Sequence, residues 1–156
     1  MIDKNGYRAN VAIIILNKQD RVFWAKRKNR NSWQFPQGGV SAGESSLQAM
    51  YRELHEEVGL RPDDVEVIAS TRDWHKYNIP TYLLRKKGPV CIGQKQKWFL
   101  LRLKASERNI DLDANEIPEF DNWRWVGYWY PINHVVHFKK EVYRTALTYF
   151  KDYISN

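Results

Sequence analysis

Three glutamates near the middle of the chain have a spacing that could support chemistry. Glu56 and Glu57 follow Glu53 by three and four residues, so on a helix the three carboxylates would share one face. Like charges at this spacing destabilise a helix by about 0.2–0.5 kcal/mol per pair, and a bound cation would reverse the sign of that effect. Oxygen ligands without His or Cys favour Mg²⁺ or Mn²⁺, which proteins usually share with substrate phosphates. The pattern predicts a metal site for a polyphosphate, although three glutamates alone would more often form a solvated acidic face.

The element that must position these carboxylates is predicted to be a helix over residues 46–58. Ser45 followed by Gln48 is a capping box, which satisfies the free N–H groups at a helix start. Gly59 can adopt the left-handed conformation that ends many helices. The apolar stripe expected to pack on the core consists of Leu47, Met50, Leu54 and Val58. The glutamates occupy the adjoining face, and the first of them is expected to be an exposed charge.

Other residues beside the glutamates also have predicted roles. Arg52 would either pair with a neighbouring carboxylate or contact a phosphate directly. Pro36 ends a short segment, and the Gly38-Gly39 pair behind it would let the backbone approach a metal or a phosphate closely. Adaptable backbone, a guanidinium group and carboxylates are therefore concentrated in one stretch of chain.

Length and charge limit the class of protein. The chain has 156 residues, which is most simply one domain with a substantial core. Its 25 Lys and Arg against 18 Asp and Glu give a formal net charge of +7, although the central stretch is acidic. An acidic metal site on a basic protein favours a polyanionic substrate that the surface attracts. The excess of Lys could serve solubility alone, so the charge only supports this hypothesis.

The sequence predicts neither a membrane span nor a secretory signal. The longest apolar run, residues 11–16, is far shorter than the roughly 20 residues that a membrane helix needs. The first ten residues lack a hydrophobic segment followed by a small-residue cleavage site. Cys91 is the single cysteine, so an internal disulfide is excluded and a reducing compartment fits. We expect a cytoplasmic protein without membrane association.

Hydrophobic patterns predict alternating strands and two helices. A β-branched run at residues 8–17 is typical of a central strand buried on both faces, and residues 21–27 would return as the second arm of a hairpin. The further predicted elements are strands at residues 33–35, 65–70, 98–103 and 123–129, a basic and aromatic hairpin at residues 71–82, a turn at Gly88-Pro89, a long loop at residues 105–122 and an amphipathic helix at residues 139–154. This order indicates an α/β fold with a mixed sheet between helices.

Residues 38–60 read GGVSAGESSLQAMYRELHEEVGL and resemble the signature of the Nudix family. The positions that match are Gly38, Glu44, Arg52, Glu53, Leu54, Glu56, Glu57, Gly59 and Leu60. Elsewhere GYRANVAIII, SWQFPQGG, STRDW, PVCIGQKQKWFLL and PEFDNWRWVGYWYP are similar to Nudix enzymes that remove pyrophosphate from the 5′ end of RNA. Two departures, Ala9 for a usual Pro and Ala12 for a common Gly, carry no functional group. The resemblance implies an α/β/α sandwich with a mixed β-sheet, in one domain over residues 1–156 with its Nudix box at residues 38–60.

The resemblance also implies a metal-dependent hydrolase of phosphoanhydride bonds. The implied metal ligands are Gly38 through its carbonyl, Glu53, Glu56, Glu57 and, from the long loop, Glu119. The implied catalytic residues are Arg52, Glu53, Glu56 and Glu57. The sequence does not decide which glutamate accepts the proton of the attacking water, and Glu53 is favoured. The implied cofactor is Mg²⁺ or Mn²⁺, or Zn²⁺ in their place, with several ions per site. Considered alone, Glu119 would more often be a solvent-facing loop residue.

The implied substrate is the 5′ end of single-stranded RNA that carries a triphosphate or a diphosphate, bound by a monomer. The residues that would line the RNA site are Arg8, Arg27, Ser32, Tyr77, Gln94, Val136, Phe138 and Lys139. Arg27, Val136 and Phe138 would hold a base near the 5′ end, while Arg8, Tyr77, Gln94 and Lys139 would hold phosphates. Without the resemblance, Phe138 could be an ordinary core residue and Lys139 a surface charge.

Two other functions fit the same glutamates. A hydrolase of dinucleoside polyphosphates, such as diadenosine tetraphosphate, would use the same metal ligands and catalytic residues. A Nudix module that senses a nucleotide without catalysis need not retain the full glutamate set, so its presence here argues against that alternative. Hydrolysis of RNA 5′ ends is the main hypothesis.

Overall fold

The fold is built around strand β1 (Tyr7–Leu16), whose aliphatic run is buried on both faces of the sheet, as predicted. The computed structural model describes residues 2–84 and 90–154, so the predicted turn at Gly88-Pro89 lies outside the described residues. The other strands are β2 (Val22–Arg27), β3 (Trp33–Gln34), β4 (Gln37–Gly39), β5 (Val65–Ser70), β6 (His75–Asn78), β7 (Gly93–Leu103) and β8 (Phe120–Val126). The α-helices are α1 (Ser46–Val58) and α2 (Lys140–Phe150).

The eight strands found in residues 2–84 and 90–154 belong to one mixed sheet. Its main path runs β3-β2-β1-β7-β5, while β4 also pairs with β1, β6 with β7 and β8 with β2. The long pairing between β1 and β7 is parallel, and the other pairings are antiparallel. This arrangement confirms the predicted mixed sheet and puts β1 at its centre.

Two hydrophobic cores lie on opposite faces of the sheet. Alternate residues of β1 point to opposite faces, so Ile14 packs in the core under α2 and Ile13 in the core under α1. Aromatic rings dominate the α2 side, where Trp98 and Tyr143 lie 5.3 Å apart between centroids in an edge-to-face arrangement. The helix–sheet–helix layers confirm the predicted α/β/α sandwich.

Several predicted details are wrong. Strand β7 begins at Gly93, five residues before the predicted start, and β8 ends at Val126 instead of residue 129. Residues 71–82 contain the single strand β6, which pairs with β7, in place of a hairpin. Leu47 is 46% exposed, and Ala49, two residues further along α1, is buried instead. Strand β8 begins at Phe120, where it pairs with Arg27 beyond a register shift, so the long loop is shorter than predicted. Helix α2 ends at Phe150 and continues as a single 3₁₀ turn, Lys151–Tyr153. Across residues 2–84 and 90–154, neither helix has the length and apolar character needed to span a membrane.

A buried hydroxyl ties helix α2 to the sheet and provides a test of this packing. The backbone N–H of Phe35 donates to Tyr143 Oη at 3.0 Å, and both residues are fully buried. Tyr143→Phe leaves this N–H without a partner, so we expect the free energy of unfolding in urea to fall by about 1–3 kcal/mol. Tyr149→Phe, at an exposed position of the same helix, is the control and should change it little. Equal effects of the two substitutions would contradict the role of Tyr143.

Candidate active site

Helix α1 is fixed at both ends by the residues that the sequence analysis selected. The Gln48 N–H donates to Ser45 Oγ at 3.1 Å, and the Ser45 N–H donates to Gln48 Oε1 at 2.9 Å. Gly59 has a φ of 79° and its N–H donates to the carbonyl of His55, which closes the last turn. The predicted bounds of α1 are confirmed, and the rotation of its glutamates about the helix axis is therefore set by local chemistry.

Two of the three helix glutamates are buried, which the sequence analysis did not predict. Glu53 and Glu57 are each 8% exposed, whereas Glu56 is half-buried. Burial raises the pKa of the Glu53 carboxyl. Burial, followed by the nearby charges of Glu53 and Glu119, raises the pKa of Glu57 well above its usual range. The prediction that Glu53 is an exposed charge is wrong, since it lies against the glycine strand β4.

Arg52 holds the carboxylate cluster together. Its Nη1 donates to Glu53 Oε1 at 2.7 Å and lies 3.4 Å from Glu56 Oε2. Its Nε and Nη2 donate to the two carboxylate oxygens of Glu44 at 2.8 and 2.9 Å, and Nη2 also donates to the Gly39 carbonyl. Hydrogen bonds from Arg52 lower the pKa of Glu44 to about 2. Of the two alternatives predicted for Arg52, the structure shows the pairing with carboxylates. Its partner Glu44 matches the Nudix signature, but the sequence analysis did not predict that it would bind Arg52.

Gly38 leaves room for a carboxylate. A Cβ atom at this position would lie 2.0 Å from Glu53 Cδ and 2.3 Å from both of its carboxylate oxygens. The side chain of Glu53 therefore occupies the space that any other residue at position 38 would fill. At Gly39 the nearest atom to such a Cβ is the Ala9 carbonyl oxygen at 4.0 Å, so only the first glycine of the pair is required by contact.

The cluster has the donor chemistry for a divalent cation. No three His, Cys, Asp or Glu side chains in residues 2–84 and 90–154 converge as ligands of one ion. Glu57 Oε2 is buried and has no hydrogen-bond partner among the described residues. A buried, unpaired oxygen beside a second buried carboxyl group is costly, and a cation would satisfy both. The residues present thus fit a hard metal ion.

Glu119 approaches this cluster from the segment that leads into β8. Its backbone carbonyl accepts from the Lys28 N–H at 2.9 Å, and its Oε1 lies 3.5 Å from Arg27 Nε. Its charge also raises the pKa of Glu57, so the two carboxylates are close enough to interact. The structure thus brings Glu119 near the helix glutamates, paired with an arginine that the sequence analysis assigned to the RNA site.

Three of the predicted RNA-site residues form a single row across the sheet. Arg8 on β1 is directly opposite Gln94 on β7, which is directly opposite Tyr77 on β6. Such partners project from the same face of a sheet. The Tyr77 ring is 6.0 Å from the Phe138 ring between centroids, and Lys139 Nζ lies 5.7 Å from the Tyr77 centroid. The register thus brings together residues that are far apart in the sequence.

The remaining predicted residues lie beside the same surface. The Arg27 N–H donates to the Ser32 carbonyl at 2.8 Å, which closes the loop between β2 and β3. Val136 directly precedes the 3₁₀ turn His137–Lys139, which carries Phe138, and Val136 lines the same cleft as Ser32. Phe138 is half-buried against the α2-side core, so it combines a core contact with an accessible edge.

Lys139 is buried, which excludes its interpretation as a surface charge. It is 8% exposed, and its Nζ donates to Gln37 Oε1 at 3.3 Å and Gln34 Oε1 at 3.4 Å. Gln96 Nε2 also donates to Gln37 Oε1 at 3.3 Å and to Asn10 Oδ1 at 2.9 Å. The sequence analysis missed this buried network of amides, because its members come from elements that are far apart in the sequence.

The site described above agrees with the class of protein that the sequence resemblance implies. A mixed sheet between helices, with buried carboxylates held by an arginine beside a glycine strand, fits a hydrolase that acts on phosphoanhydride bonds. The NUDIX domain family matches residues 6–148, and the chain belongs to that family. Members of this family generally use divalent metal ions, which agrees with the donor set described above.

Similar proteins are found both among curated sequences and among solved structures. The chain is 77% identical over 155 residues to the RNA pyrophosphohydrolase of Francisella tularensis subsp. tularensis, covering 99% of this chain and 100% of that protein. The RNA pyrophosphohydrolase of Francisella philomiragia has the same identity and coverage. The structure of the E. coli dihydroneopterin triphosphate pyrophosphohydrolase has a TM-score of 0.73 at 23% identity, over 92% of this chain and 96% of that one. A C. elegans Ap4A hydrolase has a TM-score of 0.64 at 16% identity, over 93% and 98%. These two structures show a shared fold.

The glycine pair provides a matched test of the metal site. Gly38→Ala should displace the Glu53 carboxylate, because the new methyl group would overlap it, and should weaken Mn²⁺ binding by about tenfold or more. Gly39→Ala meets nothing within contact distance and should bind Mn²⁺ as the wild type does. Isothermal titration calorimetry measures both, and thermal unfolding checks that each variant is folded. Unchanged binding by Gly38→Ala would remove Glu53 from the ligand set.

The buried lysine should make stability depend on pH in the alkaline range. Burial, with a smaller contribution from the charge of Arg27, lowers the pKa of Lys139 to about 8 from its usual value of 10.5. Between these pH values the unfolded chain holds a proton that the folded chain has released, so the free energy of unfolding should rise with pH, by at most about 1.4 kcal/mol per unit. The free energy of unfolding in urea is measured for the wild type and for Lys139→Met at pH 7.5–10. The difference between the two proteins at each pH gives the contribution of Lys139 to the slope. A difference that is constant with pH would show that Lys139 keeps its proton.

Proposed function

We propose that this protein is an RNA 5′ pyrophosphohydrolase, which converts the 5′-triphosphate or diphosphate end of RNA to a monophosphate and thereby promotes RNA decay. The observation that carries the proposal is that two sets of residues lie side by side. One is the buried carboxylate cluster, and the other is a surface of aromatic and basic side chains that hydrolysis of a polyphosphate alone would not require. Lys139 joins them, because it contacts Gln37 and the Tyr77 ring and its pKa responds to the charge of Glu57. The full-length similarity to two RNA pyrophosphohydrolases supports it.

Metal would be held by Glu53, Glu56, Glu57, Glu119 and the Gly38 carbonyl. We infer Mg²⁺ or Mn²⁺, with Zn²⁺ as a substitute and several ions per site, from the all-oxygen donor set. When bound, such ions neutralise phosphate oxygens and acidify water. Arg52 orients Glu53 through its bond to Oε1, and we assign Glu53 as the acceptor of the water proton. Attack of water between the first and second phosphates then leaves a monophosphate on the RNA and releases pyrophosphate from a triphosphate end or phosphate from a diphosphate end.

The RNA would lie along the residues assembled by the sheet register. The row of Arg8, Gln94 and Tyr77 would face the phosphates, and buried Lys139 would add a charge beside Tyr77. The residues inferred to hold a base are Arg27, Val136 and Phe138, and Ser32 lies beside them. Single-stranded RNA is bound in this way, by stacking on aromatic and guanidinium groups combined with phosphate contacts.

Several related properties belong to the same proposal. We infer a monomeric, cytoplasmic enzyme whose single catalytic domain is residues 1–156. Hydrolysis of dinucleoside polyphosphates is the second candidate function, because it would need the same glutamates and the same metal. A nucleotide sensor without catalysis is disfavoured, since burying two carboxylates beside each other is costly and a sensor need not retain them.

A contrast between substrates tests the RNA assignment. Arg27 and Phe138 lie outside the signature stretch, so polyphosphate chemistry does not require them. Truncating both to Ala should remove base stacking of about 1–3 kcal/mol, which lowers kcat/KM for 5′-triphosphorylated RNA by about ten- to over a hundredfold. Diadenosine tetraphosphate lacks a 3′-linked nucleotide and should lose less. The measurement is kcat/KM with Mg²⁺ for triphosphorylated RNA, diphosphorylated RNA and diadenosine tetraphosphate.

The control concerns the core contact of Phe138. Because that ring packs partly against the α2-side core, Arg27→Ala alone is assayed beside the double variant, and thermal unfolding is recorded for both. Equal losses on RNA and on diadenosine tetraphosphate would assign these residues to the shared nucleotide or to the fold. Turnover of diadenosine tetraphosphate but not of RNA by the wild type would favour the second candidate function.

A further inference from the structure

A cleft of about 570 Å³ lies next to the proposed RNA site and is not used by the chemistry described above. Its lining includes Trp24, Ser32, Trp33, Arg124, Tyr130 and Val136. Its volume is in the range of about 300–1,000 Å³ typical of small-molecule sites. The lining is rich in flat side chains, and none of the carboxylate ligands or Arg52 contributes to it.

A guanidinium group and two aromatic rings form one wall of this cleft. Arg124 Cζ lies 4.8 Å from the Trp33 ring centroid and 5.5 Å from the Tyr130 centroid, and its Nη2 donates to Tyr130 Oη at 2.7 Å. The Tyr130 ring stacks on His134 at 3.6 Å between centroids and 4° between planes. These contacts hold Arg124 in place although it is exposed, so a planar, positively charged surface is presented to solvent.

The strand register explains why these groups meet. Arg124 on β8 is directly opposite Trp24 on β2, and Trp24 is fully buried on the α2 side of the sheet. Trp24 thus provides a rigid floor, with the Tyr130 ring 6.4 Å away in an edge-to-face arrangement. The surface is therefore preorganised, which lowers the entropy lost when a ligand binds.

The cleft is continuous with the proposed RNA site through two residues. Ser32 and Val136 line the cleft and also belong to the set inferred to bind the nucleotide near the 5′ end. The 5′ phosphates would lie at the carboxylates, so a strand that passes Ser32 and Val136 towards the cleft runs in the 3′ direction. Arg27 and Ser32 are joined by a backbone hydrogen bond, which fixes the spacing between the two places.

We propose that this cleft is a second base-binding site, in which a nucleotide on the 3′ side of the one held by Arg27, Val136 and Phe138 stacks at Trp33, Arg124 and Tyr130. The inference rests on the proposed function and extends it to the substrate: an unpaired RNA strand several nucleotides long. Stacking on such groups tolerates any base, so the cleft adds affinity for single strands with little sequence preference. An isolated dinucleoside polyphosphate would not need it.

The test compares RNAs of increasing length. Triphosphorylated RNAs of two to six nucleotides are assayed for kcat/KM with the wild type, Arg124→Ala and Arg21→Ala. Arg21 is also an exposed arginine, but it precedes β2 at the end opposite Arg27, so its removal controls for the loss of one positive charge. We expect Arg124→Ala to match the wild type on the shortest RNA and to lose about five- to a hundredfold on RNAs long enough to reach the cleft. Arg21→Ala should match the wild type at every length.

Binding of the same RNAs is followed by fluorescence anisotropy without divalent metal, so the cleft is tested even if turnover is absent. Wild-type binding that strengthens with length and a loss of that gain in Arg124→Ala support the proposal, whatever the turnover shows. Equal losses of RNA affinity at all lengths would mean that Arg124 stabilises the fold or contacts the first nucleotide. An unchanged affinity at every length would mean that the cleft does not bind RNA. Either result overturns the proposal. Absence of RNA turnover by the wild type counts against the proposed function only.

Discussion

The structure depends on the burial of two carboxyl groups side by side. Glu53 and Glu57 are both removed from water, which is unfavourable for their charged forms and worse for two of them together. Two features make this arrangement tolerable. Arg52 donates to Glu53 and Glu44 at once, and the bare backbone of Gly38 leaves space for a carboxylate. Arg52 ties helix α1 to the loop that carries Glu44, and Gly38 brings strand β4 against the helix, so helix, loop and strand are fixed relative to one another.

The sheet extends this constraint to the second surface. The parallel pairing of β1 with β7 places Arg8 beside Gln94, and the antiparallel pairing of β6 with β7 adds Tyr77. Helix α2 then covers the same face, and the turn before it brings Lys139 down onto Gln37. A lysine with so little exposure is unfavourable unless something negative approaches it. Burial lowers the pKa of Lys139 to about 8, and it outweighs the charges of Glu119 and Glu57, which favour the protonated form.

Local signals in the sequence were sufficient for much of the fold. The capping box at Ser45 and the left-handed Gly59 set the bounds of α1, because helix ends are decided by the few residues at each end. The unbroken aliphatic run of β1 likewise predicted a central strand. The burial of Glu53 could not be predicted in this way, since it follows from a contact with Gly38 across a turn. The amide network around Gln37 joins four separate elements, and no spacing in the sequence indicates it.

The distribution of hydrogen bonds within the cluster also separates the tasks of its members. Glu53 Oε1 is held by Arg52 at 2.7 Å, which fixes the orientation of that carboxylate. Glu57 Oε2 is equally enclosed yet has no partner among the described residues. An unsatisfied buried acceptor costs about 1–3 kcal/mol, so folding alone would not favour it. Its retention is understandable if a cation binds there during function, because the ion supplies the missing partner and relieves the repulsion from Glu53. The unpaired Glu57 Oε2 therefore lowers the stability of the metal-free fold, and a cation that binds there would recover this free energy.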